Sequence, residues 1–103
     1  MAGAPALDWD EGNRAKCQKH GVRLDEIESF FQRQPRFSPD LAHSALENRF
    51  IAVGQTAAGR PLFVVFTFRV RHGQRVVRPI SARYMHAKEA RRYAEESSRA
   101  EDG

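Results

Sequence analysis

The strongest constraint on this chain is an apolar run from Pro61 to Phe68 that continues almost unbroken to Val70. It falls far short of the ~20 residues a helix needs to cross a bilayer. Its Val and Phe content, with period-two segments on both sides, reads as a strand. Near-continuous apolarity suits a strand covered on both faces, so Leu62 to Val70 is expected to be central in a sheet.

The flanking segments build that sheet outward. Arg49 to Gly54 reads as the preceding strand, Thr56 to Arg60 as a glycine-containing turn, and His72-Gly73-Gln74 as the next hairpin loop. Arg75 to Tyr84 alternates Val76, Arg78, Ile80 and Ala82 with Val77, Pro79, Ser81 and Arg83. Pro79 has no N–H for a ladder, so this last strand is an edge or is bulged there, and an edge is open to a ligand or partner. If Ile80 is core, Arg83, in the opposite set, faces the exposed side.

Helical signals flank the meander. Asp10 to His20 is a first helix, capped by Asp10 and stopped by Gly21, with so thin an apolar side (Ala15, Cys17) that it must lie across the domain's edge. A second, about Asp25 to Gln32, puts Ile27, Phe30 and Phe31 on one core-facing stripe with Leu24 a turn earlier. Pro35 and Pro39 end helical structure, and the stretch to Asn48 reads as a loop. A third helix, about His86 to Ser98, opens on His86-x-x-Glu89, which has capping-box spacing. Leu7 to Trp9 can add a short fourth strand. The expected fold is therefore α+β: a small antiparallel three-strand meander with two N-terminal helices and one C-terminal helix. At 103 residues there is room for one domain, 7–98, with loose ends at 1–6 and 99–103.

Charge narrows the function classes. Residues 69–92 hold eight of the 17 Lys/Arg against one acid, Glu89, while the rest of the chain is slightly acidic. Such a segment creates a positive field suited to a polyanion. The single cysteine, Cys17, makes no intramolecular disulfide and is read as a small inert thiol. No metal-ligand spacing, glycine-rich phosphate loop, signal peptide or membrane span is recognised, so a cytoplasmic protein without cofactor or metal is expected.

Cutting RNA without a metal takes a base near the 2′-hydroxyl, an acid near the leaving 5′-oxygen and cations on the phosphate. The proton-transfer candidates are His20 and Glu47, with Tyr84 and His86 beside Arg83. Arg49, Arg60 and Arg83 stand at strand ends, where arginine's planar fork can grip two phosphate oxygens. His43 and His72 read as solvated loop residues.

In order, Asp8-Trp9-Asp10-Glu11, Lys19-His20-Gly21-Val22, Glu47-x-Arg49-Phe50-Ile51-Ala52-x-Gly54, Gly59-Arg60 and Ile80-Ser81-Ala82-Arg83 resemble the BrnT toxin family over about Leu7 to Glu96. No single motif is specific, but the ordered set is. The resemblance implies a RelE-like fold, a translation-blocking ribonuclease and a hetero-oligomer with a BrnA-type antitoxin carrying a ribbon-helix-helix DNA-binding part. Carried over by position, it makes His20, Glu47, Arg60 and Arg83 the catalytic candidates: Arg60 and Arg83 on the phosphate, His20 and Glu47 sharing the proton transfers in either order. Arg49, Arg78, Tyr84, His86 and Lys88 are expected to contact RNA. The chain departs from the family pattern at Arg23, where a small N-cap is usual, and at His86 and Ala90. The rival reading is a non-catalytic basic module that binds RNA or the antitoxin.

Overall fold

The computed structural model describes residues 5–40 and 48–102, with side chains through residue 96. Its elements are α1 (Glu11–Gln18), α2 (Leu24–Gln32), β1 (Arg36–Pro39), β2 (Phe50–Gln55), β3 (Pro61–Arg71), β4 (Gln74–Tyr84) and α3 (Ala87–Asp102). The strands form one antiparallel sheet in the order β1-β2-β3-β4, with the expected central strand, β3, inside it. Among the described residues no helix is long and apolar enough to cross a membrane.

The core lies on one face of the sheet. Leu62, Val64 and Phe66 of β3 point there together with Ala52, Val77 and Ala82, and meet Cys17 of α1 and Ile27, Phe30 and Phe31 of α2. The α2 stripe is thus core, as its spacing predicts. On the opposite face Phe63 and Val65 are only half-buried, which gives the apolar run of β3 a partial cover on its second side.

Three details correct the sequence reading. First, Arg36–Pro39, expected as loop, is a strand on β2. All four residues are exposed, and an edge strand accommodates Pro39 because one side of its ladder needs no donor. Second, Leu7 makes a single parallel bridge to Val77 and no longer strand, so the fourth strand is β1. Third, β4 is both an edge and bulged: Val65 faces Ser81 while Phe66 faces Pro79, leaving Ile80 as the extra residue. The bulge reverses the alternation, so Val77 and Pro79 before it and Ala82 after it are buried, whereas Ile80 is not core. Arg83 faces away from the main core because of that irregularity, and not because Ile80 fills it.

Nor is the edge of β4 open along its middle. The Val77 N–H donates to Ala6 O (2.9 Å), and Asp8 N–H donates to Val77 O (2.8 Å). Just beyond, the buried Asn13 side chain donates to Pro79 O (2.9 Å) and to Asp8 O (2.8 Å). Asn13 also completes a reciprocal cap with Asp10: its N–H donates to Asp10 Oδ1 (3.0 Å) and its Oδ1 accepts from Asp10 N–H (2.7 Å). One side chain therefore starts α1 and pegs it to the bulged strand. The β3–β4 hairpin turns on His72 and Gly73, both with positive φ (53° and 76°), the combination that matches strand twist in a two-residue turn.

Cys17 is fully buried in this core, and burial pushes its thiol up to about 11. Alkylation by iodoacetamide at neutral pH is expected to be slow in the native protein and fast in denaturant, since the thiolate is the nucleophile. Rapid labelling of the native protein, followed by mass spectrometry, would contradict this packing.

Candidate active site

The turn before β3 and the end of β4 bring together residues from three elements. The Arg60 guanidinium lies 3.4 Å over the Tyr84 ring. Below, on the α2 side of the sheet, the Tyr84 hydroxyl donates to Glu26 Oε1 (2.7 Å), which also accepts the Arg23 N–H (3.0 Å). Glu26 is the third residue of α2, so its carboxylate satisfies a free N–H at the helix start and faces the positive end of the helix dipole. Burial opposes its charge. The Arg23 N–H, the Tyr84 hydroxyl and the Arg23 and Arg60 charges prevail, holding the carboxyl below the usual glutamate range. Tyr84 is held above its ordinary value by its bond to Glu26 and by burial.

The result is a cation stacked on a phenol that is bonded to an ionised carboxylate. Glu26 Oε2 has no hydrogen-bond partner among the described residues. It can accept a proton while Oε1 keeps the carboxylate fixed. Arg23 sends its own guanidinium to Asp25 (3.0 Å) in an exposed pair.

Arg83 sits on the other face. Register places Arg36, Val53, Phe63 and Arg83 in one row across the sheet. The Arg83 guanidinium lies 4.3 Å over the Phe63 ring and grips Glu89 of α3 with both arms (2.7 and 3.0 Å). Glu89 Oε1 also accepts the His86 N–H (2.9 Å), which supplies the backbone half of the expected capping box. Beside this pair runs a groove of about 360 Å³ with Val53, Phe63 and Met85 among its apolar residues and Lys88, Arg92 and Tyr93 from α3.

The bond from Arg83 lowers the Glu89 carboxyl most, helped by the His86 N–H, to about 2 from an ordinary 4.5. A depressed folded-state value stabilises the fold above about pH 4.5 and ceases to as pH falls toward 2. Glu89→Gln is therefore expected to melt below the parent at pH 7, with the gap closing between pH 4.5 and 2. A gap constant over that range would contradict the pair's role.

The other expected site residues are scattered. Arg60 and Arg83 are not brought together, because Tyr84, under Arg60, and its neighbour Arg83 point to opposite faces. His20 is exposed on the α1–α2 loop, three residues before Arg23, and no contact joins it to either arginine among the described residues. Glu47, like His43, lies outside the described residues. Arg78 is half-buried and held by Asp10 (2.8 Å) and Asp8 (3.5 Å), so its charge is neutralised within the fold. Arg49 stands half-buried before β2, and His86 and Lys88 are exposed at the start of α3. Glu26 and Arg23 were not among the sequence candidates. Their one local signal is the acid three residues after the N-cap, since the Tyr84 partnership spans 58 residues. Among the described residues no three His, Cys, Asp or Glu side chains gather as a metal-ligand set.

A search of curated proteins finds no sequence match. A family model described as "Ribonuclease toxin, BrnT, of type II toxin-antitoxin system" matches residues 9–89, which include α1, α2, the whole sheet and the Arg83–Glu89 pair. With most of its length inside that match, the chain belongs to the BrnT family of type II toxin–antitoxin ribonuclease toxins.

Proposed function

We propose that the protein cuts RNA without a metal ion and so blocks translation in the cytoplasm, and that the reaction takes place at the Arg60 end of the sheet. The observation that carries this reading is the chain of contacts Arg60–Tyr84–Glu26: a guanidinium stacked on a phenol whose hydroxyl is bonded to an ionised carboxylate. Glu26 takes the proton from the 2′-hydroxyl, Arg60 stabilises the charge that builds on the phosphate, and His20, on the loop leading into α2, protonates the 5′-oxygen. Glu47 keeps its sequence-based candidacy for either proton step. Arg83 serves phosphate binding only when RNA displaces Glu89 from its fork. The antitoxin that neutralises the family's toxins is, for this chain, of the BrnA type with a ribbon-helix-helix part.

This chemistry leaves a 2′,3′-cyclic phosphate and a 5′-hydroxyl. Purified protein incubated with a defined RNA in excess EDTA is expected to yield those ends. Glu26→Gln is expected to lose the acidic limb of the pH–rate profile, because only the carboxylate accepts the proton. Cleavage that requires added metal, 3′-hydroxyl products, or retention of RNA without cleavage would overturn the proposal, the last in favour of a binding module.

A further inference from the structure

The far end of the β3–β4 hairpin carries a second basic surface. β2 accompanies β3 only as far as Phe50 opposite Phe66, whereas β3 continues to Arg71. At that step lies a groove of about 310 Å³ lined by Asn48, Phe50, Thr67, Phe68, Arg69 and Arg75. A second groove of about 240 Å³ shares Arg69 and extends past Arg49 and Arg78 to Lys16 on α1. Among the described residues the two linings contain five cations and no carboxylate, and Arg49 is one of the cations already engaged within the fold. Arg78 is neutralised by Asp8 and Asp10, but Lys16, Arg69 and Arg75 have no acidic partner among the described residues.

The surface also offers flat groups. The Arg75 guanidinium lies 3.7 Å over the Phe68 ring, and Phe50 meets Phe68 edge to face at 5.2 Å. Arg75 thus has its inner side fixed on a ring and its outer side available for stacking. Cations interleaved with stacking platforms match a single nucleic-acid strand, which alternates phosphates with flat bases. An acidic peptide would use the charges and leave the platform idle.

We propose that these joined grooves form an exosite for single-stranded RNA, separate from the cleavage site. The inference rests on RNA being the substrate and on cleavage at the Arg60 end of the sheet, but not on which groups there move the protons. Along β3 the two sites are separated by nine residues of extended chain, roughly 30 Å. Only an RNA several nucleotides long can reach both, so the exosite favours long strands and holds them while one end enters the cleavage site.

The test uses a fully 2′-O-methylated RNA, which cannot be cut, so that binding is read even if the cleavage reading fails. Fluorescence anisotropy compares a long strand (about 16 nucleotides, the upper end of the site sizes of single-strand binders) with a tetramer. Arg69→Glu combined with Arg75→Ala is expected to weaken the long strand at least about tenfold more than the tetramer. The slope of log K against log salt should flatten by about 0.7 for each phosphate contact removed. Arg69→Lys combined with Arg75→Lys, which keeps the charge, should retain most of the affinity and guards against a folding defect. Equal losses on both lengths, or no loss on the long strand, would overturn the exosite. Undiminished RNA binding with lost antitoxin binding would assign the surface to the protein partner instead.

Discussion

Replacing Arg60 with alanine is expected to slow RNA cleavage by about 10²- to 10³-fold, the usual cost of deleting one fixed donor to a developing oxyanion. Growth inhibition on induction should disappear with it, while the fold stays intact. Arg60 is exposed, and its structural bonds run through the backbone: its carbonyl accepts Thr56 N–H (2.9 Å) and its N–H donates to Thr56 Oγ1 (3.2 Å). Alanine retains both. What disappears is the stack on Tyr84, worth about 0.5–1 kcal/mol at an exposed position. Arg60→Lys should fall between the two, since a point charge attracts the phosphate without gripping two of its oxygens. Single-turnover cleavage alongside thermal melting by circular dichroism separates the effects. Full cleavage by the alanine variant would move phosphate binding away from this end of the sheet. Arg83 would then come next, and Arg83→Ala would be the variant to lose toxicity.

That ordering of the two arginines was not legible in the sequence. Strand period correctly grouped Arg83 with Ser81, but the side each set occupies depends on the bulge at Ile80, which a proline can suggest and not locate. The central strand, the α2 stripe and the Asp10 cap were legible because each is set by residues within a few positions of one another. The β1 strand was not, since its residues are exposed and carry no alternation, and only pairing with β2 defines it. Glu26 illustrates the same limit at the site. Locally it is one more acid in the first turn of a helix. It becomes a candidate base only when β4 delivers Tyr84, and the turn before β3 delivers Arg60, to the start of α2. Arg78 shows the same limit: nothing in its basic run signals that the N-terminal segment folds two aspartates onto it, 68 and 70 residues away in sequence.

The largest loss of stability is expected from Phe66→Ala. Phe66 is fully buried at the centre of β3, with the rings of Phe31, Phe37, Phe50 and Phe68 at centroid distances of 5.7, 5.0, 5.6 and 5.4 Å. These rings come from α2, β1, β2 and β3, so removing the shared one opens a cavity where all four elements meet. Such a truncation costs about 3–5 kcal/mol, and a domain of this size holds only about 5–15 kcal/mol in total. The melting temperature should fall by roughly 12 °C or more. Because Phe66 lies opposite Pro79 beside the bulge, collapse of the cavity would also shift the strand that carries Arg83 and Tyr84. Toxicity should therefore decline with the folded fraction, and recover on cooling, unlike the loss expected for Arg60→Ala. Phe66→Leu keeps most of the volume and should restore much of the stability. A melting temperature within a few degrees of the parent for the alanine variant would show that the aromatic cluster is not what joins the helices to the sheet.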